Sequence, residues 1–375
     1  MRIVVQKYGG SSVADLDRIR AVARRIAQSA DGARVCVVVS AMGNTTNELL
    51  ALARQVAERP DRRELDMLIS VGERVTMALL AMCLRDLGVR ARSLTGSQSG
   101  IVTDEAHADA RVVEVRPDRL RQVLDGGEVA IVAGFQGVSR LREVTTLGRG
   151  GSDTTAVVLA AALGAAHAEI CSDVDGVWSA DPRVVPEAVK LDALSLEEAL
   201  ALARGGAKVL FEDAVRYARD HGVEIVASST FGPGSGTRLV AGTVPSASAA
   251  SAVTGDADLL AVPCAPTDVE TLQQLAAAGA RVRRRVGDTL HVDVRNAHGG
   301  LAGHAPIAVV TAVGSALGER PLDLARAAAA LEGAGISALA HGAQGDQAWW
   351  QVPPERLAEA VGTVHDCLVH ESSAQ

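Results

Sequence analysis

Aromatic residues make up only 2% of this 375-residue chain, lysine occurs three times, and no two cysteines form a CxxC pair. Each scarcity narrows the reading. With 48% hydrophobic content and so few rings, the core must rest on aliphatic packing of Ala, Val and Leu. The five cysteines, Cys36, Cys83, Cys171, Cys264 and Cys367, are scattered and mostly sit in apolar runs, which argues against disulfides, zinc and thiol catalysis together. No apolar run reaches the roughly 18 to 20 residues that cross a bilayer. The N-terminal Met-Arg-Ile-Val-Val-Gln-Lys turns polar too soon for a signal peptide, so a cytoplasmic protein without a membrane partner is expected. A net charge of −8 carries no polyanion signal, and no nucleic acid is expected. Arg281 with Arg283, Arg284 and Arg285 is the one basic cluster, and it reads as a solvated strand or loop face. Sequence motifs are also missing: there is no GxxxxGK[ST] loop, the glycines at 148 to 151 fail the GxGxxG spacing, and no GxSxG elbow follows a strand.

The lysine shortage points to what is present. Among 37 basic residues only Lys7, Lys190 and Lys208 are lysines, so arginine serves wherever a generic positive charge suffices. A compact ammonium is indicated where lysine persists. The stretch Thr145-Thr-Leu-Gly-Arg-Gly-Gly-Ser-Asp-Thr-Thr155 runs into an alanine-rich helical segment ending near Leu163. Its glycines open backbone angles closed to other residues and let main-chain N–H groups approach a ligand. Ser152 or Asp153 caps the helix, whose N-terminus favours anions, and the fork of Arg149 matches a carboxylate or phosphate. An ordinary strand-to-helix turn with a surface arginine is the competing reading.

Strands alternate with helices from residue 3 to about 227. Apolar strands near 3–7, 35–39, 89–94, 129–133, 168–171 and 223–227 are separated by helical runs near 14–27, 62–87 and 117–125 and by small polar loops. Such a pattern predicts an α/β fold with a mainly parallel sheet covered on both faces and ligands at the carboxyl ends of its strands. The length predicts two or three domains. The boundaries read as 1–240 for the α/β domain, 241–257 for a Ser/Ala/Pro-rich linker, and 258–306 and 307–375 for two small α+β units. The second small unit is expected to carry strands near 335–340 and 363–369, the last returning to the first unit. Several glycine loops, lysines and an arginine on one sheet edge suit polyphosphate binding and phosphoryl transfer. Mg²⁺ would be held by phosphates and water, with one carboxylate such as Asp173.

The motifs carry a resemblance. Lys7-Tyr-Gly-Gly-Ser-Ser-Val13 is similar to KFGGTSV, the opening of the aspartokinases in the amino acid kinase family. Val39-Ser-Ala-Met-Gly-Asn-Thr-Thr-Asn47, Ser70-Val-Gly-Glu73, Gly134-Phe-Gln-Gly137, Thr146-Leu-Gly-Arg-Gly-Gly-Ser-Asp153, Ser172-Asp-Val-Asp-Gly-Val-Trp-Ser-Ala-Asp-Pro-Arg183 and Gly206-Ala-Lys-Val-Leu210 resemble its later motifs, in order, across about residues 1 to 240. The C-terminal pair resembles, more weakly, the family's tandem ACT domains of βαββαβ form.

The resemblance implies an amino acid kinase fold and ATP-dependent phosphorylation of the side-chain carboxylate of L-aspartate. It implies that Lys7 stabilises the transferring phosphoryl group, that Gly9, Gly10 and Ser11 contact phosphates through backbone N–H and hydroxyl, and that Asp153 orients Lys7 or the phosphate region. It assigns Glu73 to the substrate ammonium, Arg149 to its α-carboxylate with Gly150 and Ser152 alongside, and Ser40 and Thr45 to its vicinity. Ser172, Asp173, Trp178, Asp181, Arg183 and Lys208 would line the ATP site. Bland alternatives are a strand-end surface lysine at 7, a solvated helical acid at 73 and turn roles for Asp173 and Asp181. Two departures stand out. Phe211-Glu-Asp213 replaces the family's His-Pro-Arg, which puts the nucleotide edge in question, and both ACT turns lack their usual glycine. The ACT-like units are therefore expected to form a homodimer or higher homo-oligomer, with feedback by lysine or threonine weak or absent. A kinase for a related amino acid and a nucleotide-binding partner with little turnover are the other function classes the sequence leaves open.

Overall fold

Two β-branched runs set the frame of the first half. Ile3–Tyr8 (β1) and Arg34–Val39 (β2) pair in parallel with Lys7 opposite Val38. Between them Leu16–Ala30 (α1) buries Ile19, Val22, Ala23 and Ile26, spaced three and four apart on one face. Asp15 caps it by accepting the Arg18 N–H at 2.8 Å. The computed structural model describes residues 1–209, 211–246, 248–295, 297, 301 and 303–370, without the side chain of residue 370, so Leu210 of the last family motif lies outside the described residues. It falls into two units, Met1–Gly176 with Asp213–Ala241, and Val177–Glu212 with Gly242–Gln375.

Unit 1 continues through Thr45–Val56 (α2), Arg62–Ile69 (α3), Val71–Asp86 (α4), Ala91–Leu94 (β3), Ile101–Thr103 (β4), Val112–Val115 (β5), Asp118–Asp125 (α5) and Val129–Ala133 (β6). Gln136–Ser139 (β7), Val144–Thr146 (β8), Gly151–Leu163 (α6) and Ala168–Ser172 (β9) follow. The chain then enters unit 2 for Ala193–Ser195 (β10) and Leu196–Arg204 (α7), and returns through Glu212–His221 (α8) to Ile225–Ser229 (β11) and Thr237–Val240 (β12). The main strands of unit 1 lie in the order β12-β11-β9-β1-β2-β6-β3. All are parallel except β12, so the polar loops that follow them gather on one edge, as the alternating pattern predicts. Val35, Val37 and Val39 point into a core with α1 and α4, while α5 and α6 cover the other face. A second, smaller sheet has the order β5-β4-β7-β8.

The helix expected over 62–87 is two helices. Gln136 Nε2 donates to the Ser70 carbonyl at 2.9 Å, and the chain turns there. A window within 62–86 is apolar enough to cross a membrane, with mean hydropathy 1.7, but half of it is buried. Met77, Leu80 and Leu84 of that stretch pack into the unit 1 core, so this is a core helix.

Unit 2 holds one six-stranded sheet. Ala252–Pro263 (β13), Val269–Ala277 (α9), Arg281–Val286 (β14) and Thr289–Asp293 (β15) form one βαββ repeat. Ala305–Val313 (β16), Pro321–Gly333 (α10), Ala340–Gln344 (β17) and Gln347–Val352 (β18) form another. The order β14-β15-β13-β16-β18-β17 joins the two through antiparallel β13 and β16. Residues 252–257, placed in the linker by composition, therefore belong to β13, and the small units divided at 306 share a sheet. The strand expected at 335–340 lies at 340–344 because the tight turn at Gly345 (φ +55°) sets Gln344 opposite Gln347. The strand expected at 363–369 is helical instead: Leu357–His365 (α11) runs into a further turn, Asp366–His370. Ala360, Val361, Val364, His365 and Leu368 are buried at helical spacing.

The arginine cluster is not a solvated face. Arg283 bridges Glu212 and Asp293, each at 2.5 Å, and Arg284 lies 4.6 Å from the centre of the Trp349 ring. Arg285 donates to the Cys264 carbonyl at 2.5 Å. Arg295 grips Asp293 and Asp256, which extends Arg204–Glu212–Arg283 into an alternating network. The acids of Phe211-Glu-Asp213 open α8, with the Glu212 charge committed to Arg204 and Arg283.

Candidate active site

The carboxyl edge of the unit 1 sheet collects most of the residues singled out by sequence. Lys7, next to last in β1, is only 8% exposed, and its Nζ meets Asp153 Oδ1 at 2.7 Å. Asp153 stands in the first turn of α6, so a carboxylate from one side of the sheet edge fixes an ammonium delivered by the central strand. Asp153 therefore pairs with Lys7 and does not cap α6. The N-cap is Gly150, at φ +77°, and neither Ser152 nor Asp153 caps through its side chain. The reason is the turn itself: Gly148 (φ +69°) and Gly150 bracket Arg149 with left-handed backbone and start the helix two or three residues earlier than expected. Arg149 is exposed and engages no partner among the described residues. Ser152 is buried beside Gly134, where a Cβ would lie 2.8 Å from its Oγ.

The loop after β1 divides its backbone N–H groups. Gly9 donates its N–H to the Cys171 carbonyl at 3.3 Å, extending the β1–β9 ladder, so that group is spent. Gly10–Val13 forms a single 3₁₀ turn whose first internal donor is the Ser12 N–H, to the Gly9 carbonyl at 2.9 Å, so the N–H groups of Gly10 and Ser11 lie ahead of the turn's own ladder. Gly10 also packs against the loop after β2, accepting the Gly43 N–H at 3.1 Å.

That second loop leads to Glu73. Ser40 donates its N–H to the Tyr8 carbonyl at 3.1 Å, and the next residue, Ala41, donates its N–H to Glu73 Oε1 at the same distance. This reach depends on Gly72, because a Cβ there would sit 2.7 Å from the Ala41 Cβ. The same Cβ would lie 3.6 Å from Cγ2 of Thr45, whose hydroxyl donates to the Met42 carbonyl at 2.7 Å. Glu73 is 3% exposed and its Oε2 has no partner among the described residues. Burial pushes its carboxyl up to about 7, against the two backbone N–H groups that lower it. A half-satisfied buried carboxylate beside a solvated loop is a receptor for a cation.

The nucleotide-site candidates divide between the units. Ser172 ends β9 in unit 1 and Asp173 follows it. Ser172 Oγ lies 3.3 Å from both the N–H and the carbonyl of Val174, and Asp173 is exposed. Trp178, Asp181, Arg183 and Lys208 belong to unit 2. There Trp178 bridges to Lys190 in antiparallel pairing and packs on the sheet core. Asp181 accepts the Arg183 N–H at 3.0 Å and both prongs of its guanidinium at 2.9 and 2.6 Å. The bidentate Arg183 contact holds the Asp181 carboxyl below its usual range, with the Lys208 charge helping. Asp181 thus performs the turn role offered as its plainer reading.

Sequence reasoning missed Asp66. This α3 residue is fully buried and accepts from His107, Ala108 and Thr146. Its neighbours in α3, Arg62, Arg63 and Glu64 before it and Met67, Leu68 and Ile69 after it, gave no signal that it is buried.

The Amino acid kinase family profile matches residues 2–227. The chain belongs to the amino acid kinase family. This amino acid kinase is 54% identical to the aspartokinase of Mycobacterium tuberculosis over 242 residues, 64% of this chain and 58% of that protein. It is 50% identical to the aspartokinase of Thermus thermophilus over 238 residues, 63% of this chain and 59% of the relative. The chain thus spans less than two thirds of the length of these curated relatives. Its fold is similar to that of E. coli aspartokinase III solved with aspartate and ADP, with a TM-score of 0.84, 24% identity and coverage of 98% of this chain and 100% of that one. Aspartate kinase from Synechocystis, at 33% identity and a TM-score of 0.59, covers 97% of this amino acid kinase, which covers 68% of it.

Proposed function

We propose that this amino acid kinase transfers the terminal phosphoryl group of ATP to the side-chain carboxylate of L-aspartate, giving 4-phospho-L-aspartate and ADP. The observation that carries the reading is the buried Lys7–Asp153 pair on the same sheet edge as the half-satisfied Glu73. The aspartokinase relatives at 50 to 54% identity support it. A carboxylate with a pKa of about 3.9 is already ionised at neutral pH, so the nucleophile needs no general base. The difficulty is bringing it to a polyanion. Lys7, held in direction by Asp153, offsets the charge that gathers on the transferred group. With Gly9 committed to Cys171, the N–H groups of Gly10 and Ser11 take the phosphate role in the glycine loop. Glu73 binds the substrate ammonium, Arg149 its α-carboxylate, and Ser40 and Thr45 border the same space.

Among the described residues no group of three or more His, Cys, Asp and Glu side chains gathers to hold a metal. The exposed Asp173, one residue past the end of β9, suits Mg²⁺ carried mainly by phosphate and water, as its single protein carboxylate. Bound there, Mg²⁺ would neutralise phosphate charge.

Trapping the acyl phosphate with hydroxylamine, over a panel of amino acids with ATP and Mg²⁺, tests the proposal. Hydroxamate formed with aspartate and not with glutamate supports it. Turnover of another amino acid, or ATP binding without turnover, would overturn it.

A further inference from the structure

The loop that presents Arg149 is anchored from a distance. Asp66 has no exposed surface, yet its carboxylate collects donors from two remote segments. His107 Nδ1 lies 2.7 Å from Oδ2, the Ala108 N–H reaches both oxygens at 3.1 and 3.2 Å, and the Thr146 hydroxyl donates to Oδ1 at 2.5 Å. Ala108 is held at φ +67°, a left-handed conformation that a non-glycine residue adopts only when its surroundings enforce it. Its N–H in the Asp66 carboxylate is that enforcement. The turn so fixed backs onto the strand before the glycine loop: Ala110 donates its N–H to the Thr146 carbonyl at 2.9 Å. At Gly148 a Cβ would stand 2.6 Å from Asp109 Oδ1 and 3.5 Å from the Ala108 carbonyl. Every donor to Asp66 therefore belongs either to the turn wedged against Gly148 or to Thr146, three residues before Arg149.

We propose that Asp66 is a positioning residue that sets the aim of Arg149 by clamping the 107–110 turn against Thr146 and Gly148. The inference rests on the reading of Arg149 as the ligand of the substrate carboxylate. Asp66 touches no substrate, and its charge is wholly engaged by protein donors. A shift of about 1 Å in a group that orients substrate costs up to about 100-fold in rate or affinity. Loosening the clamp therefore weakens aspartate recognition and spares the nucleotide.

The test is a double-mutant cycle on the full chain, with steady-state kinetics for aspartate and for ATP. Asp66→Asn keeps the volume and one acceptor oxygen but puts an NH₂ where a second acceptor oxygen faced His107 Nδ1 and the Ala108 N–H. It is expected to raise KM for aspartate roughly tenfold or more, with kcat changed less than about threefold and KM for ATP unchanged. In the Arg149→Ala background Asp66→Asn should add nothing, because the group it aims is gone. Thr146→Val removes a single donor and repeats the cycle should Asp66→Asn fail to fold, while Thr146→Ser restores the hydroxyl and should restore KM. If Arg149→Ala raises KM and the Asp66 or Thr146 change multiplies that effect, the residues act structurally and the inference falls alone. If Arg149→Ala leaves KM for aspartate unaltered, the reading of Arg149 falls and takes this inference with it.

Discussion

Replacing Glu73 by Gln should make the unliganded protein more stable while removing its affinity for aspartate. The carboxyl stands at about 7 instead of the usual 4.5, owing to burial. The folded state therefore holds this proton more tightly than the unfolded state, and stability is lost as pH rises from about 4.5 through about 7. A difference of about 2.5 pH units at about 1.4 kcal/mol each gives roughly 3.5 kcal/mol against folding when Glu73 is fully ionised. Only about 1 kcal/mol of this applies at pH 5, where the group is still protonated in the fold. Glutamine keeps an oxygen for the Ala41 N–H and carries no charge. Urea unfolding of Glu73→Gln beside the parent protein, at pH 5 and at pH 8, should show an advantage for the variant that grows by about 2.5 kcal/mol. Saturating aspartate should stabilise the parent at pH 8 and leave the variant unmoved. An advantage that is flat with pH, or an undiminished response of the variant to aspartate, would refute the assignment of a strained, cation-seeking carboxylate.

Lys7→Ala should lower kcat by about 100- to 1,000-fold with the KM for ATP changed far less, as expected of a charge that acts in the transition state; rapid-quench kinetics distinguishes this from loss of nucleotide binding. In unit 2, burial raises the Asp293 carboxyl, but Arg295 and Arg283 outweigh it and hold the group at about 2. Its stabilisation is present above about 4 and is lost as pH falls towards 2, so Asp293→Asn should flatten acid unfolding over that window when followed by circular dichroism. The ACT-like sheet is proposed to join two copies of the chain without strong feedback. Sedimentation should give a dimer or larger species, and millimolar lysine or threonine should leave most of the activity.

Lys7 stood out as a rare lysine at a strand end beside glycines, whereas Glu73 was singled out only through the resemblance of Ser70-Val-Gly-Glu73 to a family motif, since a helical acid by itself reads as solvated. The parallel sheet was legible because β2 and β6 are continuous apolar runs covered on both faces. Asp66 was not, since nothing near it in the chain distinguishes a buried acid from a solvated one, and its partners stand 41 to 80 residues away. The same limit explains the arginine cluster: Arg283 looks solvated until Glu212, 71 positions earlier, is brought to it. Residues 363–369 alternate well enough to read as a strand, and only burial at helical spacing shows that the helix continues.

The backbone passes between the two units at residues 176/177, 212/213 and 241/242. Cutting the chain near residue 240, where composition changes, would therefore not release a self-sufficient catalytic half. The fragment would keep Val177–Glu212 but lose the strands on which Ala180, Val185 and Ala188 are packed. It should come out of cells as aggregate, and a functional kinase fragment would have to be rescued by supplying the missing partner segment in trans.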